Sequence, residues 1–109
     1  MTLSKQQLKD LKLIHTCPKP LRKHLLKKIP SRSVRALCEC SLNVLKGNIP
    51  LSRNQKKSLA KYKNTLRKIA SKKGSLSAKK KTIVQNGGFL NILLPAALSV
   101  LTTLVNGAR

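Results

Sequence analysis

The residues able to do acid, base, nucleophilic or metal chemistry are few. Asp10 and Glu39 are the only carboxylates, His15 and His24 the only imidazoles, and Cys17, Cys38 and Cys40 the only thiols. General acid–base catalysis by paired carboxylates needs an acid and a base held side by side, and two isolated carboxylates offer little to build that pair from. Zinc ligands come in pairs two to four residues apart, whereas His15 with Cys17, and Cys38 with Cys40, have one residue between them. A Cys/His nucleophile pair would lack an orienting acid and an oxyanion-hole motif. No catalytic residue, metal site or cofactor is therefore expected, and the chain is expected not to be an enzyme. Lys5, Lys9 and Lys12 interrupt the N-terminus before an apolar run develops, so no secretory signal is read there. Three cysteines in such a chain predict reduced thiols, with Cys38 on the apolar side of a helix and Cys40 pointing away from it.

The chemistry that does dominate is charge. In 109 residues, 24 Lys and Arg face 2 Asp and Glu, for a net charge of +22 and a pI near 11.0. Such a chain repels itself unless a polyanion supplies counter-charge, which points to nucleic acid or to an anionic lipid surface. Counterion release makes that binding salt-dependent and nearly sequence-independent. Lysine outnumbers arginine, which favours point-charge neutralisation of phosphates over bidentate reading of base edges. The expected nucleic-acid-binding residues are Arg53, Lys56, Lys57, Lys61, Lys63, Arg67, Lys68, Lys72, Lys73, Lys79, Lys80 and Lys81. Tyr62 and Phe89 are the only aromatics, and Tyr62 falls on an apolar seam, so it reads as core and not as a base-stacking platform.

The elements that must carry this charge read as short helices. Ser4 with Gln7 is a capping-box pattern opening a helix over 4 to 14, with Leu8, Leu11 and Ile14 on one face. Pro18 and Pro20 suit the opening of a second helix, from about 19 to 28, with Leu21, Leu25 and Ile29 as its apolar positions. Ser31 is the expected cap of a third, running to about Lys46 with Val34, Leu37, Cys38, Ser41 and Leu45 as its least charged stripe and Gly47 and Asn48 as its stop. Ser52 with Gln55 opens one continuous helix to about Ala70, on which Leu59, Tyr62, Leu66 and Ile69 form the seam. The Ser, Ala and Lys composition of 75 to 81 reads as a basic linker, or as a helix formed only on a polyanion. The fold class expected is all-α: a small bundle of short amphipathic helices over 1–73, a basic and polar linker over 74–86, and a Gly-Gly hinge with an apolar C-terminal helix over 87–109.

From Phe89 to Val105 the chain is almost wholly apolar. Those seventeen residues would span about 25 Å as a helix, marginal against a hydrocarbon core of about 30 Å, and Pro95 would kink or interrupt it. Three roles stay open for it: a membrane segment, an assembly surface, or a buried helix of the same domain. As a membrane or tail segment its working residues would be Phe89, Leu90, Ile92, Leu93, Leu94, Pro95, Leu98 and Leu101.

A polycationic region, then Gly87-Gly88, then Phe89-Leu90 and an apolar run containing Leu93-Leu94-Pro95 is an unusual order of parts. It resembles the adenovirus core protein pX family, the precursors of mu. The stretch from Asn43 to Leu51 followed by a Lys-rich helix also resembles pX-type proteins of adenovirus-like elements, the Maverick or Polinton transposons and adintoviruses. The resemblance implies a DNA-condensing viral core protein, with double-stranded DNA as partner and virion core and host nucleus as its location. It also implies cleavage by a viral cysteine protease between Gly88 and Phe89. Two features depart from the family: its basic segment is rich in Arg and His where this one is rich in Lys, and Gln85 stands where the protease prefers Met, Ile or Leu. The expected function is thus non-sequence-specific nucleic-acid binding and condensation, with a membrane-active or assembly-directing tail. The alternatives are a cationic polypeptide acting on anionic bilayers and an RNA-binding protein.

Overall fold

Both capping boxes form. Ser4 Oγ accepts from the Gln7 N–H at 3.0 Å while Gln7 Oε1 accepts from the Ser4 N–H at 2.9 Å, and Ser52 with Gln55 repeats the exchange at 3.1 and 2.8 Å. They open α1 (Lys5–Thr16) and α4 (Arg53–Ala60) of a computed structural model that describes residues 3–107, and the side chains of residues 3–101. Between them lie α2 (Lys19–Lys28) and α3 (Ser31–Leu45); after them come α5 (Lys63–Ala70), α6 (Leu76–Gln85), a 3-10 turn (Gly87–Phe89) and α7 (Leu90–Gly107). The chain is an all-α small bundle, with no strand among the described residues.

The structure differs from the sequence expectation at four places in these helices. Ser31 is the first residue inside α3 and does not cap it; Pro30 takes the cap position. The expected helix from 52 to 70 breaks at Lys61–Tyr62, because α4 packs on α7 while α5 packs on α3 and α6, and one straight rod cannot serve both. In α2 the buried face is Arg22 and Leu26, continued by Ile29 at its C-cap, leaving Leu21 57% exposed. In α3, Cys40 is fully buried and Cys38 only half-buried, the reverse of the expectation, because α1, α5, α6 and α7 all touch α3 and leave it no single apolar stripe.

The end of α3 is stopped as its sequence suggests. Gly47 takes a φ of 78°, its N–H reaches the Val44 carbonyl, and the Asn48 N–H reaches the Asn43 carbonyl at 2.9 Å. That is a Schellman motif, which leaves the last carbonyls satisfied. Asn48 Nδ2 also donates to Asn43 Oδ1 at 2.9 Å. The Asn43–Leu51 stretch is therefore a helix stop followed by Ile49, which is 3% exposed and part of the core.

The larger change concerns the C-terminal half. Residues 76–85, expected as linker, form α6: Ser75 Oγ accepts from the Ala78 N–H, and Ile83 is fully buried. The apolar run is α7, packed against α1, α3 and α4, and Phe89, Leu90, Leu93, Leu94 and Ala97 are 0% exposed. Of the three roles open to this run, the packing is that of a buried helix in the same core. Helix α7 continues through Pro95, whose missing N–H leaves the Asn91 carbonyl without its usual helical donor. The radius of gyration, 12.9 Å, matches the roughly 13 Å of a single folded chain of this length. Met1, Thr2, Ala108 and Arg109, the outer ends of the expected basic domain and tail, lie outside the described residues.

Candidate nucleic-acid interface

The segment from Arg53 to Lys81, which holds α4, α5 and most of α6, carries twelve cations and no acid, against eleven cations in the 52 residues before. Each helix turns a narrow apolar edge inward, with Leu59, Leu66, Ile69 and Ile83 nearly sealed from solvent, so its charged positions have only the outside left. Ten of the twelve expected binding residues are exposed. The other two, Lys79 and Lys80, are half-buried and tie α6 to its neighbours: Lys79 Nζ donates to the Ser71 carbonyl, and Lys80 Nζ to the Ile29 carbonyl at 2.9 Å.

The α5–α6 corner concentrates this charge. Gly74 turns the chain at a φ of 89°, and an open groove of about 500 Å³ lies there between Arg67, Lys68, Lys73 and Lys79. Arg67 and Lys68 occupy the last turn of α5, where the helix dipole favours cations.

Neither acid offsets this surface. Asp10 Oδ2 accepts from Arg32 Nε at 2.8 Å and from Ser33 Oγ at 3.0 Å, which pins α1 to the start of α3. The Arg32 hydrogen bond, chiefly, holds the Asp10 carboxyl below its ordinary value against the opposing effect of burial. Glu39 Oε1 accepts from Asn43 Nδ2 at 3.2 Å within α3.

The remaining candidates have structural places. Tyr62 packs its ring against Phe89, with centroids 6.3 Å apart and planes tilted by 51°, a core contact as expected. Burial pushes the Cys40 thiol up to about 12 and raises Cys38 as well, Lys79 partly opposing the latter, so neither is a ready nucleophile. No group of three His, Cys, Asp or Glu among the described residues is placed to hold a metal ion. The Gly88–Phe89 bond lies in the 3-10 turn, with Phe89 fully buried and Tyr62 against Gly88. No single helix among the described residues is long and apolar enough to cross a membrane; α6 with Gly87–Leu101 passes by length and composition only as a pair bent by 78°.

Residue type alone groups Arg22 with the solvated charges of α2, and its burial is not expected from that. The usable signal is its spacing: 22, 26 and 29 recur at helical intervals with Leu26 and Ile29. Comparison of the chain with family models, curated proteins and solved structures finds no match.

Proposed function

We propose that this protein binds and condenses nucleic acid without sequence preference, with double-stranded DNA as its ligand and the outer faces of α4, α5 and α6 as its principal contact surface. The observation that supports the reading is a folded bundle whose exterior carries cations with almost no acids among them. The magnitudes agree. The longest dimension of the bundle is 36 Å, and a duplex of that length carries about 21 phosphates, close to the net charge of +22. One chain carries enough charge to neutralise about one helical turn of DNA, roughly 11 base pairs. The resemblance to the pX core proteins points to the same polymer and to a role in packaging it.

The test is a binding series on two duplexes of unrelated sequence. Replacing Lys56, Lys57, Lys61, Arg67 and Lys68 with Gln should weaken binding to both alike. It should also flatten the salt dependence in proportion to the number of phosphates no longer neutralised. Unchanged affinity, or a weaker grip on only one duplex, would refute the assignment of this surface.

A further inference from the structure

A second basic site lies between α2 and the junction of α6 with α7. Arg22 is only 9% exposed. Its Nη1 donates to Asn91 Oδ1 at 2.6 Å and its Nη2 to the His15 carbonyl at 3.3 Å, while its Nε is buried with no acceptor. Both acceptors are neutral. The chain has two acidic side chains, and Asp10 and Glu39 are engaged elsewhere, so no carboxylate among the described residues answers this guanidinium.

A charge held in such a position is costly unless something opposite compensates it. What faces it makes the cost worse, for Lys19 and Lys23 stand on the same helix and line the same groove of about 280 Å³. The other wall is Val84 and Gln85 at the end of α6, then Gly87, Gly88 and Asn91, none of them charged. Three cations, one of them a rigid planar fork fixed from two sides, converge with no anion of the protein's own. A guanidinium held in this way favours a tetrahedral oxyanion, which it meets with charge-assisted hydrogen bonds while lysines supply further positive charge.

We infer that the groove between α2 and the α6–α7 junction is a phosphate-binding site, with Arg22 as its central ligand and Lys19 and Lys23 as flanking charges. Through the Arg22–Asn91 hydrogen bond, an occupied site also holds the first turn of α7 against α2. The inference does not rest on the nucleic-acid reading, because a free phosphate and a backbone phosphodiester present the same chemistry to the groove.

The experiment is an NMR titration of the full chain with inorganic phosphate, against chloride at equal ionic strength. The reporters are the backbone amides of Gly87 and Gly88 and the side-chain amide of Asn91. Saturable shifts at these reporters are expected. Arg22→Gln should weaken phosphate binding there by about tenfold or more, the worth of one charge-assisted hydrogen bond. Arg35→Gln removes the same charge from an exposed position on α3 and should leave the titration unchanged. Reporters that do not move in the parent protein, or that titrate identically in Arg22→Gln, would overturn the site. Should Arg22→Gln fail to fold, the parent titration alone decides: shifts spread over α4–α6 and absent from the groove refute it. A short duplex that moves the same reporters and displaces phosphate identifies a backbone phosphate as the natural occupant. A duplex that leaves the reporters to inorganic phosphate identifies a free phosphate group.

Discussion

Removing residues 89–109 should unfold the basic half of the molecule, although nearly all of the cationic region would remain in the chain. The deletion takes away Phe89, Leu90, Leu93 and Leu94, four large side chains that are 0% exposed. Each contributes about 1.5–3 kcal/mol by burial, so the deletion costs about 6–12 kcal/mol, against the 5–15 kcal/mol that holds a typical domain together. Helices α1, α3 and α4, which pack on α7, would lose part of the core they share with it. Circular dichroism at 222 nm with a urea titration reads the outcome: the chain ending at Gly88 should lose most of its helical signal and show no cooperative transition. Within the full chain, Leu94→Ala should cost about 2–5 kcal/mol and lower the urea midpoint without changing the slope. A chain ending at Gly88 that keeps its helicity and unfolds cooperatively would refute the assignment of α7 to the core. The same reasoning bears on proteolysis: a protease cutting between Gly88 and Phe89 must first open the 3-10 turn, and in doing so loosens the core.

Three further outcomes follow from single residues. Cys40 is protonated in the fold with its thiol pushed up to about 12, above the ordinary 9.0, so its neutral form stabilises the native state fully below pH 9 and that contribution is lost as pH rises toward 12; alkylation kinetics should show Cys17 reacting first in the native protein, half-buried Cys38 more slowly and Cys40 only on unfolding. Asp10 behaves oppositely: its lowered value makes the Arg32 pair stabilising above the ordinary 3.8 and progressively lost as pH falls below it, so Asp10→Asn should cost about 1 kcal/mol at neutral pH and flatten the acid limb of a pH–stability curve. A Cβ on Gly88 would stand 2.6 Å from Tyr62 Oη, so Gly88→Ala should destabilise by about 1–2 kcal/mol, and adding Tyr62→Phe should recover part of that in a double-mutant cycle by urea melts.

What is legible in the sequence is whatever depends on near neighbours. The two Ser-x-x-Gln capping boxes, the Gly47 stop and the bounds of α2 all rest on interactions within a few residues, and all are present in the fold. The choice of buried face fails where tertiary packing overrides side-chain type. Helix α2 buries Arg22 and exposes Leu21, and α3 buries Cys40 and Asn43 while leaving Leu45 39% exposed. The break at Lys61–Tyr62 leaves no local signal, because it arises from α4 and α5 answering different partners. The apolar run from Phe89 is visible at once, but whether an apolar helix faces lipid or its own chain depends on what the preceding helices leave uncovered. For the basic surface, charge is fully legible. The conversion of Lys79 and Lys80 into ties between α6 and its neighbours is not, because it depends on carbonyls eight and fifty-one residues away.

Salt dependence of duplex binding tests most directly whether unbalanced surface charge is what holds the polymer. Affinity for two unrelated duplexes of about 30 base pairs, measured by fluorescence anisotropy between about 50 and 200 mM salt, should fall on a common line of log K against log salt. Engagement of five or more phosphates by the α4–α6 cations predicts a slope of about −4.5 or steeper, a weakening of about 500-fold over that range. A slope flatter than about −2, or a tenfold preference for one sequence, would contradict binding by unbalanced surface charge.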